Sequence, residues 1–236
     1  NLNYAQADAT AVQSLLQAQS QNIFSRTQVY TLLNKEATRE NIIATLENIK
    51  AEANPRDVFI FYYAGHGVVS VDTNAAFYLA PTDIKQLYGN ADQLRNQGIS
   101  SQELLEYSRD IAAQKQLFIL DACQSEGALK TVAQRGAAEE EAIAQLARST
   151  GTHWLTATAS DQTATEFETL GHGAFTYTLI EALKGAADSG DGIISVNELK
   201  AYIETRVPEV TAEHKGEVQY PASYGYGQDF PIALSK

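Results

Sequence analysis

The chain has 236 residues, 44% of them hydrophobic, and a formal net charge of −12. That length suits one large domain or two small ones, with enough apolar residues for a sizeable core. The negative charge argues against nucleic acid or an anionic membrane as the main partner, since both select Lys/Arg patches, and it is compatible with a basic peptide substrate.

In chain order, Ala9, Val12, Leu15 and Leu16 fall on one face of a helix over about residues 5–19. Val29-Tyr30-Thr31-Leu32-Leu33 reads as a strand. Thr38 caps a second helix carrying Ile42, Ile43, Leu46 and Ile49, which Asn54-Pro55-Arg56 ends. The apolar run Val58 to Tyr63 is a strand that stops at the small-residue turn Ala64-Gly65-His66-Gly67. Phe77 to Ala80 is a short strand closed by Pro81. Residues 82–99 read as a polar surface loop. Ser100 or Ser101 caps a third helix through about Arg109.

Leu117 to Asp121 is a second central strand, with Ala122-Cys123-Gln124-Ser125 just past its end. Residues 128–137 read as a flexible loop, Glu139 to Ala147 as a short helix, and Thr152 to Ala159 as a strand. Ala174 to Leu183 is a helix. The Asp188–Gly192 turn leads through Ile193-Ile194 to a helix near 196–206. Asp229 to Leu234 forms a last strand. Strands alternating with helices imply βαβ units, hence a mostly parallel sheet covered on both faces. Groups at the C-terminal ends of its strands share one edge, where α/β proteins place their sites.

That edge holds the chemistry. The only cysteine excludes an internal disulfide and a Cys-rich metal site. Alone it would read as a small buried hydrophobe. A histidine at a neighbouring strand end changes that reading, because a thiolate nucleophile needs a base held at a fixed distance. Cys123 also stands downstream of His66 by roughly the 50 positions expected of a caspase-type pair.

The flanking residues carry a resemblance. Tyr63-Ala64-Gly65-His66-Gly67 resembles the histidine motif of clan CD cysteine peptidases, peptidase family C14. Asp121-Ala122-Cys123-Gln124-Ser125 resembles their cysteine motif, in the form found in metacaspases and bacterial orthocaspase-like homologues. The segment Leu2 to Leu16, with Ala5, Asp8, Ala9 and Val12, is similar to the family's first helix. Leu155 to Gln162 and Gly173-Ala174-Phe175-Thr176 are similar to the segment after the next core strand. Two departures stand out. The family's usual first apolar strand is absent from the chain, and Glu126 is inserted where the cysteine motif often reads Ser-Gly.

The resemblance implies a caspase-like three-layer αβα sandwich with a mostly parallel central sheet, as a single peptidase domain over residues 1–236. It implies a cysteine endopeptidase with His66 and Cys123 as the catalytic dyad, and the backbone N–H groups of Gly67 and Cys123 as oxyanion donors. Asp121 lies two positions before the nucleophile, so strand alternation faces it to the same side. In metacaspases this position implies cleavage after Arg or Lys, and Asp161 matches a second acid of that basic-specific pocket. Each also reads as a turn cap.

A basic-specific peptidase is expected to find Lys130, Arg135 and Arg148 in a processing loop over 124–150. Some metacaspases require calcium, so calcium dependence stays open, but no residue pattern marks a metal site. Placing Gly192 and Glu198 at positions six and twelve of an EF-hand loop leaves two carboxylates missing. His153, His172 and His214 have no metal-ligand spacing. The expected partners are protein or peptide substrates with a basic residue before the cleaved bond, with no nucleic acid and no membrane.

No run of about 18 apolar residues and no signal-peptide pattern occurs, which makes a cytoplasmic location the expectation. The lack of any methionine points to an excised piece of a longer protein. Two other readings remain. One is a catalytically quiet caspase-like module for binding or signalling. The other is a different thiol hydrolase, against which the missing Gly-x-Cys-x-Gly elbow argues.

Overall fold

A computed structural model describes residues 3–70, 77–85, 91–124, 144, 148, 151–157, 166–167, 171–215 and 218–235. Three central strands are parallel: β1 (Val58–Val69), β4 (Lys115–Gln124) and β5 (His153–Thr156). Antiparallel strands extend the sheet on both sides. Beyond β1 lie β2 (Phe77–Ala80) and β3 (Ile99–Ser100); beyond β5 lies β9 (Ala222–Gly225). The sheet order is β3-β2-β1-β4-β5-β9.

Apolar residues on both faces of β4 build two cores, as a covered parallel strand requires. Leu117 and Ile119 pack with Val12, Phe175, Leu179, Leu199, Ile203 and Val207. These come from α1 (Ala5–Ser20), α5 (Ala174–Glu181) and α6 (Val196–Lys215). Phe118 and Leu120 pack with Ile42, Leu46, Leu104 and Trp154 on the other face, under α2 (Arg39–Glu52) and α4 (Ser101–Asp110). Trp154 stacks on Phe118 with ring centroids 4.1 Å apart. Helices on both faces of one sheet make the three-layer αβα sandwich.

Local signals set the helix starts. Thr38 accepts the Asn41 amide at the start of α2. Ser100 and Glu103 form a reciprocal capping box on α4. Several expected elements differ. Residues 29–33 are not a strand: they have no ladder partner among the described residues, and Val29 and Tyr30 are exposed. The expected loop over 82–99 contains α3 (Ala91–Gln97) and begins β3, because Leu94 and Ile99 are buried.

The helix expected to end near 206 runs through Pro208 to Lys215. Burial of Val207, Val210 and Thr211 outweighs the amide that proline removes. The C-terminal strand, β10 (Pro231–Leu234), pairs with β8 (Ile193–Ser195) in a separate two-stranded sheet, not with the main one. A further short ribbon pairs β6 (Glu166–Phe167) with β7 (His172–Gly173). The loop expected at 128–137 lies outside the described residues. So does the helix expected at 139–147, apart from Ala144, which is helical and buried.

Candidate active site

His66 and Cys123 lie inside their strands, not in turns past the strand ends. The parallel β1–β4 ladder continues through both residues and makes their Cα positions register partners, with Ala64 opposite Asp121 and Gly67 opposite Gln124. β1 runs this far because β2 pairs antiparallel with His66 through Val69. Aromatic rings explain the glycines. A Cβ on Gly65 would lie 2.4 Å from the Tyr63 ring and hydroxyl, and one on Gly67 would lie 2.7 Å from the Phe77 ring. The Tyr63 hydroxyl crosses Gly65 and shares its one hydrogen between the Ala80 carbonyl at 2.8 Å and the His66 carbonyl at 3.2 Å.

Strand alternation decides which layer the site faces. Val58, Ile60 and Tyr62 pack with the core under α1, α5 and α6, whereas Phe59, Phe61 and Tyr63 pack with the opposite core. Positions 64 and 66 continue the Tyr62 face, and Asp121 continues the face of Leu117 and Ile119. His66 is half-buried, and Asp121 is 8% exposed.

Asp121 meets a hydroxyl chain from that layer. Thr176, in the first turn of α5, donates to Asp121 Oδ2 at 2.5 Å. The Tyr62 hydroxyl lies 2.7 Å from Thr176 Oγ1. Burial, and then the negative charge of Asp121, hold the Tyr62 phenol pKa well above its ordinary value. On the same side, Asp8 of α1 is 4% exposed, pairs with His172 Nδ1 at 2.6 Å and accepts the Gly173 amide at 3.3 Å. Tyr62 could have been picked out by counting back along the His66 face. Nothing local marks Thr176, Asp8 or His172 as partners, since each meets its neighbour across a long stretch of chain.

Asp161, Lys130 and Arg135 lie outside the described residues. Arg148 is exposed, with its guanidinium 5.8 Å from the centre of the Tyr226 ring. The carboxylates of Asp188, Asp191 and Glu198 offer oxygens within 4.8 Å of one another. Asp188 Oδ1 accepts the amides of Gly190, Asp191 and Gly192 at 2.8–3.2 Å. Glu198 accepts those of Ser189 and Ser195, both at 2.9 Å, and Ser195 Oγ accepts the Glu198 amide in return. The Gly190 amide foremost holds Asp188 below its ordinary pKa, and the Ser189 hydroxyl, then the Ser195 amide, hold Glu198 below its own. These bonds build a turn, with Gly190 and Gly192 at φ +115° and +81°, and cap α6.

The family model of the caspase domain, Peptidase C14, matches residues 1–226, and the chain belongs to this peptidase family. No curated protein matches it. Membership in a peptidase family implies protein substrates. No described helix is long and apolar enough to cross a membrane.

Proposed function

We propose that the chain is a cysteine endopeptidase that hydrolyses peptide bonds after arginine or lysine. The observation that carries the reading is the register of His66 with Cys123 on adjacent central strands. Neighbouring strands lie about 4.7–4.9 Å apart, a backbone spacing from which an imidazole and a thiol on one face can come within hydrogen-bond reach of each other.

In the reaction, the Cys123 thiol gives its proton to His66 and the thiolate attacks the scissile carbonyl carbon. The amides of Gly67 and Cys123 donate to the oxyanion. The tetrahedral intermediate collapses as the C–N bond breaks, and the imidazolium protonates the leaving amine. Water, deprotonated by His66, then attacks the thioester. The carboxyl product leaves and the thiol is restored.

Asp121, buried two positions before the nucleophile, supports the basic specificity. A carboxylate out of water binds a guanidinium or ammonium by charge-assisted hydrogen bonds. Asp161 is the second acid of this pocket in the same proposal. Residues 1–236 act as one domain, in the cytoplasm, on substrates attracted by the net charge of −12. The enzyme cuts itself after Lys130, Arg135 or Arg148.

The test offers the protein fluorogenic peptides ending in Arg, Lys or Asp, with and without calcium, beside Cys123→Ala. The expected outcome is cleavage after Arg and Lys that Cys123→Ala abolishes and that His66→Ala lowers by about 10²–10⁴-fold. Cleavage after Asp but not Arg would overturn the pocket assignment. No cleavage, with no labelling of Cys123 by a thiol-reactive probe, would favour the binding module. Mass spectrometry of incubated protein, with Cys123→Ala as control, tests the self-cleavage sites.

A further inference from the structure

We propose that Thr176 is a positioning residue for substrate recognition: backed by Tyr62, its hydroxyl holds the Asp121 carboxylate in the orientation that receives a cationic side chain. The inference rests on the basic-specific reading above and deepens it.

Counting protons sets the direction of the chain. An ionised carboxylate only accepts, and a threonine hydroxyl has one hydrogen. The 2.5 Å contact to Asp121 Oδ2 therefore uses that hydrogen. The 2.7 Å contact with Tyr62 must then run from the phenol to Thr176 Oγ1. Tyr62 is suited to this task, because burial and the Asp121 charge keep its phenol protonated. The result is a one-way relay, Tyr62 to Thr176 to Asp121, in which each hydroxyl is polarised by the next acceptor.

The three residues come from three elements, β1, α5 and β4, so the relay also fixes α5 against the sheet. Thr176 is 0% exposed, which leaves its hydroxyl no solvent to turn toward. A carboxylate that binds a planar guanidinium through two oxygens gains from being held in one rotamer, since a swinging acceptor loses the paired geometry. A hydroxyl donor in a dry site does this without adding a positive charge that would repel the substrate.

The experiment compares two peptides differing only before the scissile bond, one with arginine and one with its neutral isostere citrulline. Values of kcat/KM are measured for wild type, Thr176→Val, Thr176→Ser, Tyr62→Phe and Asp121→Asn, with thermal melts to confirm folding. Loss of the donor to a buried charge is expected to cut the arginine-to-citrulline ratio about 10–100-fold in Thr176→Val, carried by KM. Thr176→Ser should restore the ratio, and Tyr62→Phe should fall between.

An unchanged ratio in Thr176→Val, with a collapsed ratio in Asp121→Asn, overturns the role of Thr176 and leaves Asp121 as the specificity residue. An unchanged ratio in Asp121→Asn overturns the pocket reading and this inference together. Equal loss of both peptides in Thr176→Val and Thr176→Ser makes Thr176 a structural residue and overturns the positioning role.

Discussion

Gly65→Ala measures how tightly the residues around His66 are packed. The new Cβ would sit 2.4 Å from the Tyr63 Cζ and hydroxyl and 2.7 Å from Cε1. Such a contact forces the ring aside, and overpacking of this kind costs about 1–3 kcal/mol. Moving the ring also breaks the hydroxyl's bond to the Ala80 carbonyl, worth about 0.5–1.5 kcal/mol. The lower chain entropy of alanine in a strand returns about 0.5–1 kcal/mol. The net expectation is about 2–3 kcal/mol of destabilisation, a fall in Tm of about 5–10 °C for a protein of this size.

The assay is a double-mutant cycle by denaturant unfolding. In a Tyr63→Leu background the ring is gone, so Gly65→Ala should cost less than about 0.5 kcal/mol there, with the difference appearing as coupling between neighbours. An equal cost in both backgrounds would refute the explanation of Gly65 by the Tyr63 ring.

Gly67→Ala, whose Cβ would meet the Phe77 ring at 2.7 Å, should lose about 1–3 kcal/mol in the same unfolding assay. Ser100→Ala removes the acceptor for the Glu103 amide and should cost about 1 kcal/mol, read as a shift in denaturant midpoint with unchanged slope. His153 makes its hydrogen bond to the Gln228 carbonyl through Nε2, and its Nδ1 has no hydrogen-bond partner among the described residues. Burial lowers its pKa in the folded protein. Its contribution is therefore fully present above the unfolded value of about 6.5 and is lost as pH falls through the lower folded value. Melts at stepped pH should show this acid loss in wild type and a flatter slope in His153→Gln.

Much of the frame was legible in the residues. The runs Val58–Tyr63 and Leu117–Leu120 are apolar on both faces, which only a strand covered by helices on both sides can satisfy. A serine at 100 or 101 marked a helix start, and Ser100 is the cap, because a cap's bonds are local. Failures occurred where the outcome depends on distant chain. Val29–Leu33 has strand composition, but a strand exists only with a partner, and Tyr30 bonds to Glu52 instead. Ala222–Gly225 lacks strand composition and is a strand, because the edge of β5 pairs with it.

The candidate site divides the same way. Residue types and spacing by themselves singled out His66 and Cys123, since reactive groups beside small residues near the ends of buried apolar runs are a local pattern, and the resemblance of the cysteine motif added Asp121. Only the tertiary structure decided that position 66 faces position 123, because register is a property of two strands together. Only it joined Thr176 and Tyr62 to Asp121, and Asp8 to His172. A buried carboxylate must be hydrogen-bonded, but the sequence does not say by which group. Packing of α1 and α5 onto one face of the sheet makes that choice.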